Sequence, residues 1–389
     1  MSDTQFPLLL RGFVQDAPPE PDLSCNIRQL WRTAAEQNLL PVLAYENKRR
    51  KLFDDPEVCR RLDGLLYGTV AANLNRCAAF ETLSARLTEQ GIAHMPVKGY
   101  YLRRLYPEPE LRTFGDIDLL IHPEDRQRVH ELMLSLGYTV KQDWEPTYSY
   151  IKAAEYYEIH TNLMDGDLDG RADLRAYFDA AWEHAAPDGG LRFRPEDDFH
   201  FIYTVCHLAK HLYGGGAGLR MYLDAALYIK HRDGSLNWQA IAGEFAALRL
   251  TEFFRTVMNA CRVWFGTETT CPLPEPDTEA LDRLLTYTLD SDLFGHSRDH
   301  AVIELRNERG EAPSRSRVLW RMLFPPAAEI EPRYTFLKNR HWLLPLAWLV
   351  RLFANLRLLP SRIRQMRRVT KTDKASVETY DGFMRRIGL

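Results

Sequence analysis

Two aspartates one residue apart stand in the stretch Gly115-Asp116-Ile117-Asp118-Leu119-Leu120-Ile121. Successive side chains of a strand alternate faces, so Asp116 and Asp118 share one face while Ile117 and Leu119 enter a core. Side-by-side carboxylates are costly unless a cation neutralises them, and a hard divalent ion such as Mg²⁺ or Mn²⁺ suits their oxygens. Upstream, His94-Met95-Pro96-Val97-Lys98-Gly99 reads as a strand ending at a Lys-Gly step, followed by a short helix over 99–106. A glycine in the first turn of a helix lets backbone N–H groups approach a phosphate. Downstream, Tyr156-Tyr157-Glu158-Ile159-His160 alternates like another strand and offers Glu158 as a third carboxylate, with His160 on the same face.

Isolated Asp-x-Asp pairs are usually solvent-facing strand ends. The Lys-Gly step and Glu158 turn this pair toward metal-assisted phosphoryl chemistry, in which carboxylate-held ions orient a triphosphate and activate a hydroxyl. Lys98 and Arg112 are the natural phosphate partners, or else they neutralise the Asp cluster. Glu158 is a metal ligand or general base, or else an ion-pair partner of Lys152 or Arg112. His200, His207 and His211 share one face of a helix, and His207 and His211 have the i, i+4 spacing of helical zinc ligands. With no acidic residue beside them to complete such a site, a polar inter-helix network including the i, i+4 pair Arg220 and Asp224 is the preferred reading, facing the nucleotide.

The motifs Val97-Lys98-Gly99, Leu105-Tyr106-Pro107, Leu111-Arg112, Gly115-Asp116-Ile117-Asp118-Leu119-Leu120, Gly137-Tyr138 and Glu158-Ile159-His160 come in that order. Together they resemble a bacterial family of uncharacterised nucleotidyltransferases within the DNA polymerase beta superfamily, over roughly residues 25 to 350. The resemblance implies an α+β fold, with a polymerase-beta-like core of mixed sheet and helices flanked by helical N- and C-terminal segments. It further implies transfer of a nucleoside monophosphate from an NTP, with ATP the expected nucleotide, to a hydroxyl-bearing acceptor, and release of pyrophosphate. Asp116, Asp118 and Glu158 would then be catalytic and hold Mg²⁺ or Mn²⁺. Lys98, Gly99, Arg112, His160, His207, His211, Arg220 and Asp224 would surround the nucleotide. A small molecule, a peptide or protein side chain and an RNA end all stay open as acceptors. Tyr100 after Gly99 and the long interval to Asp116 keep a second class open, a nucleotide-binding scaffold without transfer, and a metal-dependent phosphohydrolase is a third.

Around these motifs the chain of 389 residues is too long for one compact domain. Four segments are expected: a helical N-terminal segment over 1–65, the nucleotidyltransferase core over 66–195, a helical domain over 196–300 and a basic helical region over 301–389. Residues 1–22 read as a loop-rich lead, and helices are expected over 23–45, 55–66 and 69–90. Strands are placed at 93–98, 116–121, 138–142, 148–153 and 156–162, with a helix at 123–136. Further helices are predicted at 196–213, 218–232, 237–248, 251–265 and 277–289, then near 315–323, within 342–358 and at 361–369. Asp165 to Gly170 and Pro187-Asp188-Gly189-Gly190 read as loops.

With hydrophobic content at 45% and aromatic content at 11%, real cores are available and large-scale disorder is excluded. Between Pro332 and Thr372 there are ten Lys or Arg and no Asp or Glu, against −3 for the whole chain, so the remainder carries −13. That arm is a docked helical face, a surface for an anionic partner, or an interfacial helix, since Trp342, Leu346, Leu349 and Phe353 mix with Arg351 and Arg357. Six cysteines without Cys-x-x-Cys spacing suit reduced thiols in the cytoplasm. The most apolar region, Trp342 to Leu359, is broken by Pro345, Arg351, Asn355 and Arg357 and makes a poor membrane span, and a signal peptide is not expected.

Overall fold

The computed structural model describes residues 5–18, 27–164, 168, 173–290, 320, 323–330, 334–337, 340–354 and 374–389. It divides into two compact units, Met1–Gly295 with Ile387–Leu389, and His296–Arg386.

The first unit opens on helix α1 (Gln5–Gln15), where the sequence reading places a loop-rich lead. Phe6, Leu9, Leu10, Phe13 and Val14 recur at helical spacing and are all buried, so this is an amphipathic helix obscured by the run Leu8-Leu9-Leu10. α2 (Ile27–Glu36) and α3 (Leu40–Arg50) follow. The two helices expected over 55–66 and 69–90 are one, α4 (Pro56–Glu89), of 34 residues. Asp55 caps it by accepting from the amides of Glu57 and Val58. A Cβ at Gly64 or Gly68 would meet nothing, so these exposed glycines weaken α4 without ending it.

The sheet has the order β1 (His94–Pro96), β2 (Ile117–Ile121), β5 (Glu155–His160), β4 (Thr147–Lys152), β3 (Thr139–Trp144). β2 and β5 are parallel, and every other pairing is antiparallel. Between β1 and β2 lie the four-residue helix α5 (Gly99–Leu102) and a loop. α6 (Arg126–Ser135) joins β2 to β3. One face of the sheet is apolar: Ile117, Leu119, Ile121, Tyr157 and Ile159 pack with Phe80, Leu83 and Leu87 of α4 and Val129, Leu132 and Met133 of α6.

A short helix α7 (Leu174–Asp179) leads to a hairpin of β6 (Ala185–Pro187) and β7 (Phe193–Pro195), whose turn is the glycine-rich loop read in the sequence. Four helices then fall within about a residue of expectation: α8 (Asp197–Gly214), α9 (Leu219–Arg232), α10 (Trp238–Ala247) and α11 (Thr251–Phe265), followed by α12 (Thr278–Asp290).

In the second unit, the helix Leu344–Ala354 falls within the span predicted over 342–358, and Lys374–Arg386 is a helix that the sequence reading does not include. The predicted helix at 361–369, nearly all of that near 315–323, most of the loop from Asp165 to Gly170 and most of the basic arm lie outside the described residues. Among the described residues no helix is long and apolar enough to cross a membrane.

Candidate active site

The polar face of β2 and β5 looks toward α8 and α9 across a cavity of about 370 Å³. The eleven residues expected around the metal and nucleotide line it: Lys98, Gly99, Arg112, Asp116, Asp118, Glu158, His160, His207, His211, Arg220 and Asp224. Register is what gathers the carboxylates. In the parallel pair Asp118 lies opposite Glu158, and His160 follows two residues on, on the same face. His160 Nε2 is 2.9 Å from Asp118 Oδ1 and 3.8 Å from Glu158 Oε2. Thr147 Oγ1 lies 3.1 Å from Nδ1 of the same ring. With Nε2–H given to the carboxylate, Nδ1 accepts from the threonine hydroxyl; in the other tautomer Nδ1–H donates to Thr147 and Nε2 keeps a lone pair for a cation. Tyr156 donates to Glu158 at 3.3 Å.

The ligand atoms of Asp118, Glu158 and His160 all lie within 4.8 Å of one another. Expectation put Asp116 in that group. Asp116 lines the same cavity, two residues before Asp118 and half-buried, but it is not one of the three. Burial and the neighbouring Asp118 charge push its carboxyl up to about 6, against the pull of Lys98. Asp118 goes the other way. Its burial would raise it, but Lys98 and His160 hold it well below the usual carboxylate range.

Lys98 bridges to Asp118 at 2.6 Å, so it serves the cluster as a counter-charge. Burial alone would lower its ammonium, and Asp118 more than reverses that. Its backbone has φ +48°, a left-handed conformation uncommon for a residue with a side chain, just before α5 begins. Gly99 follows for a steric reason: a Cβ there would stand 2.6 Å from Arg112 Nη1 and 3.3 Å from Phe114 Cβ. The glycine admits the guanidinium flat against the backbone.

Arg112 does not pair with Glu158 or with the Asp cluster. Its Nε and Nη2 each donate to Asp224 at 2.8 Å, and Tyr106 donates to the same carboxylate at 2.8 Å. Burial would lower Arg112, but Asp224 holds it above its ordinary value. The predicted i, i+4 pair of Arg220 with Asp224 is therefore not formed. Asp224 is turned to Arg112, and Arg220 instead donates to the Thr113 carbonyl at 2.6 Å, leaving its buried Nε without a protein partner. Burial and the neighbouring Arg112 charge lower the Arg220 guanidinium. Lys152, the other expected partner of Glu158, donates to the Leu136 carbonyl at 2.8 Å.

On α8, His207 and His211 meet with their Nε2 atoms 3.1 Å apart. Burial, with Lys98 and Lys210 nearby, keeps both imidazoles neutral, His211 falling to about 4 and His207 well below its usual value. Among the described residues no carboxylate or thiolate joins the pair in a group that could hold a metal, so the pair reads as a hydrogen-bonding wall. His200 shares their helical face but is sealed beneath, 4% exposed, beside Tyr101 and Tyr228 and away from the cavity. Sequence reasoning passed over Thr147, Asn162, Thr204 and Lys210, and named Tyr106 only within a motif. Only Lys210 carried a signal, its position three residues after His207.

A mixed sheet gathers the Asp-x-Asp strand and a later acidic residue behind a Lys-Gly turn, the arrangement expected of a nucleotidyltransferase core. The chain belongs to the family described as uncharacterised nucleotidyltransferase, whose profile matches residues 24–266. Among solved structures it is similar to the antibiotic-resistance factor ANT(2'')-Ia, determined in solution, at 14% identity and a TM-score of 0.35, covering 45% of this chain and 92% of that one. No curated protein matches the chain.

Proposed function

We propose that the protein transfers a nucleoside monophosphate from an NTP, with ATP the expected donor, to a hydroxyl-bearing acceptor and releases pyrophosphate. The register that sets Asp118 opposite Glu158 carries this reading, because it aims two carboxylates from different strands at one point while Asp116 adds a third at the same cavity. The donor set fits a divalent cation. Carboxylate oxygens of Asp118 and Glu158 converge with His160 Nε2, and the Lys98 ammonium already answers their negative charge. Asp118 and Glu158, with Asp116 and His160 beside them, would hold Mg²⁺ or Mn²⁺, which when bound would neutralise phosphate charge and acidify the acceptor hydroxyl.

The chain's own groups divide the remaining work. Glu158, partly open to the cavity, accepts the acceptor's proton. Lys98 is a point charge for phosphate oxygens, and Arg112, with two nitrogens fixed on Asp224, presents Nη1 beside Gly99. Arg220, His207 and His211 face the carboxylates from the helical wall and donate to the phosphates that depart. Pro146, Thr147, Asn162 and Leu163 line the Glu158 side, where the acceptor enters. The free thiols, Cys206 and Cys261 buried among them, suit a reducing cytoplasm.

The test is incubation of the full chain with each NTP, Mg²⁺ or Mn²⁺ and a cell extract, scoring pyrophosphate release and α-phosphate label against an Asp116→Ala/Asp118→Ala variant. Label on a discrete acceptor, absent in the variant, is expected. Nucleotide bound without pyrophosphate would favour the scaffold reading, and orthophosphate as the product would favour hydrolysis.

A further inference from the structure

The helix Leu344–Ala354 is apolar on both sides, and one side packs into a small core with other described residues. Ala347 is buried in a small core with Ile330, Tyr334 and Leu337, and Leu343, Leu344 and Trp348 pack against it. Trp348 Nε1 donates to the Pro325 carbonyl at 2.9 Å, and its ring lies 5.1 Å from that of Phe324, which fixes the rotation of the helix. The opposite stripe is Trp342, Leu346, Leu349 and Val350, at i, i+4, i+7 and i+8. These side chains are 77%, 50%, 53% and 41% exposed. Four large apolar residues in one row make a face that water alone does not favour.

The sequence around the stripe says what covers it. From Pro332 to Thr372 ten residues are Lys or Arg and none is Asp or Glu, while the rest of the chain is acidic. A tryptophan at the end of an aliphatic stripe, within a stretch of sequence that holds ten basic and no acidic residues, has the chemistry of a segment that lies in the plane of a bilayer surface. The aliphatic row also separates a membrane from a nucleic acid. RNA would be met by the cations and by aromatic stacking, whereas Leu346, Leu349 and Val350 offer nothing to bases or phosphates. The helix has 11 residues, which suits lying on a bilayer and not crossing it.

We propose that this segment docks the protein reversibly on a lipid surface bearing anionic headgroups, with Trp342, Leu346, Leu349 and Val350 in the headgroup–acyl boundary and the net positive charge of the Pro332–Thr372 sequence supplying the attraction. The segment lies beyond the residues matched by the family profile, and the inference does not depend on the proposed reaction.

The test is cosedimentation of the full chain with vesicles of phosphatidylcholine alone or mixed with phosphatidylglycerol, at low and high salt, for wild type, Leu346→Ser/Leu349→Ser and Trp342→Ala. Binding to the mixed vesicles alone is expected, weakened by salt and reduced about tenfold or more in the double variant. Because the replaced side chains are exposed, the variants should melt with the wild type, and the salt series on wild type tests the charge half without them. Failure of wild type to bind anionic vesicles would overturn the proposal. So would undiminished binding by both variants, or a dimer in size-exclusion chromatography that the double variant dissociates while vesicle binding is unchanged. Salt-sensitive binding to an RNA oligomer without vesicle binding would likewise overturn it, in favour of a nucleic acid.

Discussion

Replacing Asp224 by asparagine tests the joint between the sheet and the helical wall. The carboxylate accepts three hydrogen bonds, two from Arg112 and one from Tyr106, each at 2.8 Å, with both charged partners almost wholly buried. Asparagine keeps an oxygen for Arg112 Nε and Tyr106, which share Oδ1, but sets an NH₂ group against the Arg112 Nη2 donor. Breaking a buried pair by removing one charge costs about 3–5 kcal/mol, and the retained bonds place this variant near the lower end, at about 3 kcal/mol. The unit is larger than the domains for which a kcal/mol moves Tm by roughly 2–4 °C; at about 2.1 cal/mol/K per residue each kcal/mol moves it by roughly 1.5–2 °C, so a fall of roughly 5–6 °C is expected. Asp224→Asn with Arg112→Met should lose less than the sum of the two single changes, by about 2 kcal/mol, because the double variant strands no charge. Thermal and urea unfolding of the four proteins measures this cycle. An Asp224→Asn variant within about 0.5 kcal/mol of wild type, the range of an inert surface change, would refute the joint.

Gly99→Ala should weaken NTP binding by roughly tenfold and lower stability as well, since the methyl would push on Arg112 Nη1, 2.6 Å away, and that guanidinium is held in the buried pair with Asp224; equilibrium binding of a labelled nucleotide and thermal unfolding report the two effects. Asp118→Asn should lower transfer by at least about a hundredfold and abolish Mn²⁺ binding followed by electron paramagnetic resonance. Acid should destabilise the first unit. Burial lowers His200 to about 3 and His211 to about 4, so below the unfolded value near 6.5 the unfolded chain takes protons that the folded chain refuses. Stability is thus fully present above pH 6.5 and falls on acidification by about 1.4 kcal/mol per pH unit for each such histidine. His200→Phe should flatten the slope by one histidine's share in urea titrations between pH 7 and 5, and an unchanged slope would count against a neutral buried His200.

The carboxylates and the Lys-Gly step were legible because their spacing is set by local strand geometry, and α8 to α11 because long amphipathic periods with clear ends leave little choice. What was not legible depends on tertiary pairing. Arg112 and Asp224 are 112 residues apart, so nothing near either residue announces their bond. Arg220 looked like the partner because helix neighbours at i, i+4 usually meet. The rotation of α9 instead gives Asp224 to the sheet side. His160 was placed on the right face, but its hydrogen bond to Asp118 required the register of β5 on β2. α1 was missed because three consecutive leucines hide a helical period that the buried Phe6 and Phe13 complete.

Under the proposed function, the Arg112–Asp224–Tyr106 joint also governs how the site could change its acceptor. Because the joint ties the loop before β2 to α9, the two walls of the cavity cannot separate without dissolving a buried ion pair, so the entropy of aligning them is spent when the chain folds and not at each turnover. An acceptor is then admitted or refused by the fixed outline of the opening. Under the proposed function, new acceptors would be reached by substitutions in the cavity lining, such as Pro146, Thr147, Asn162 and Leu163, and not by a hinge motion that parts the walls.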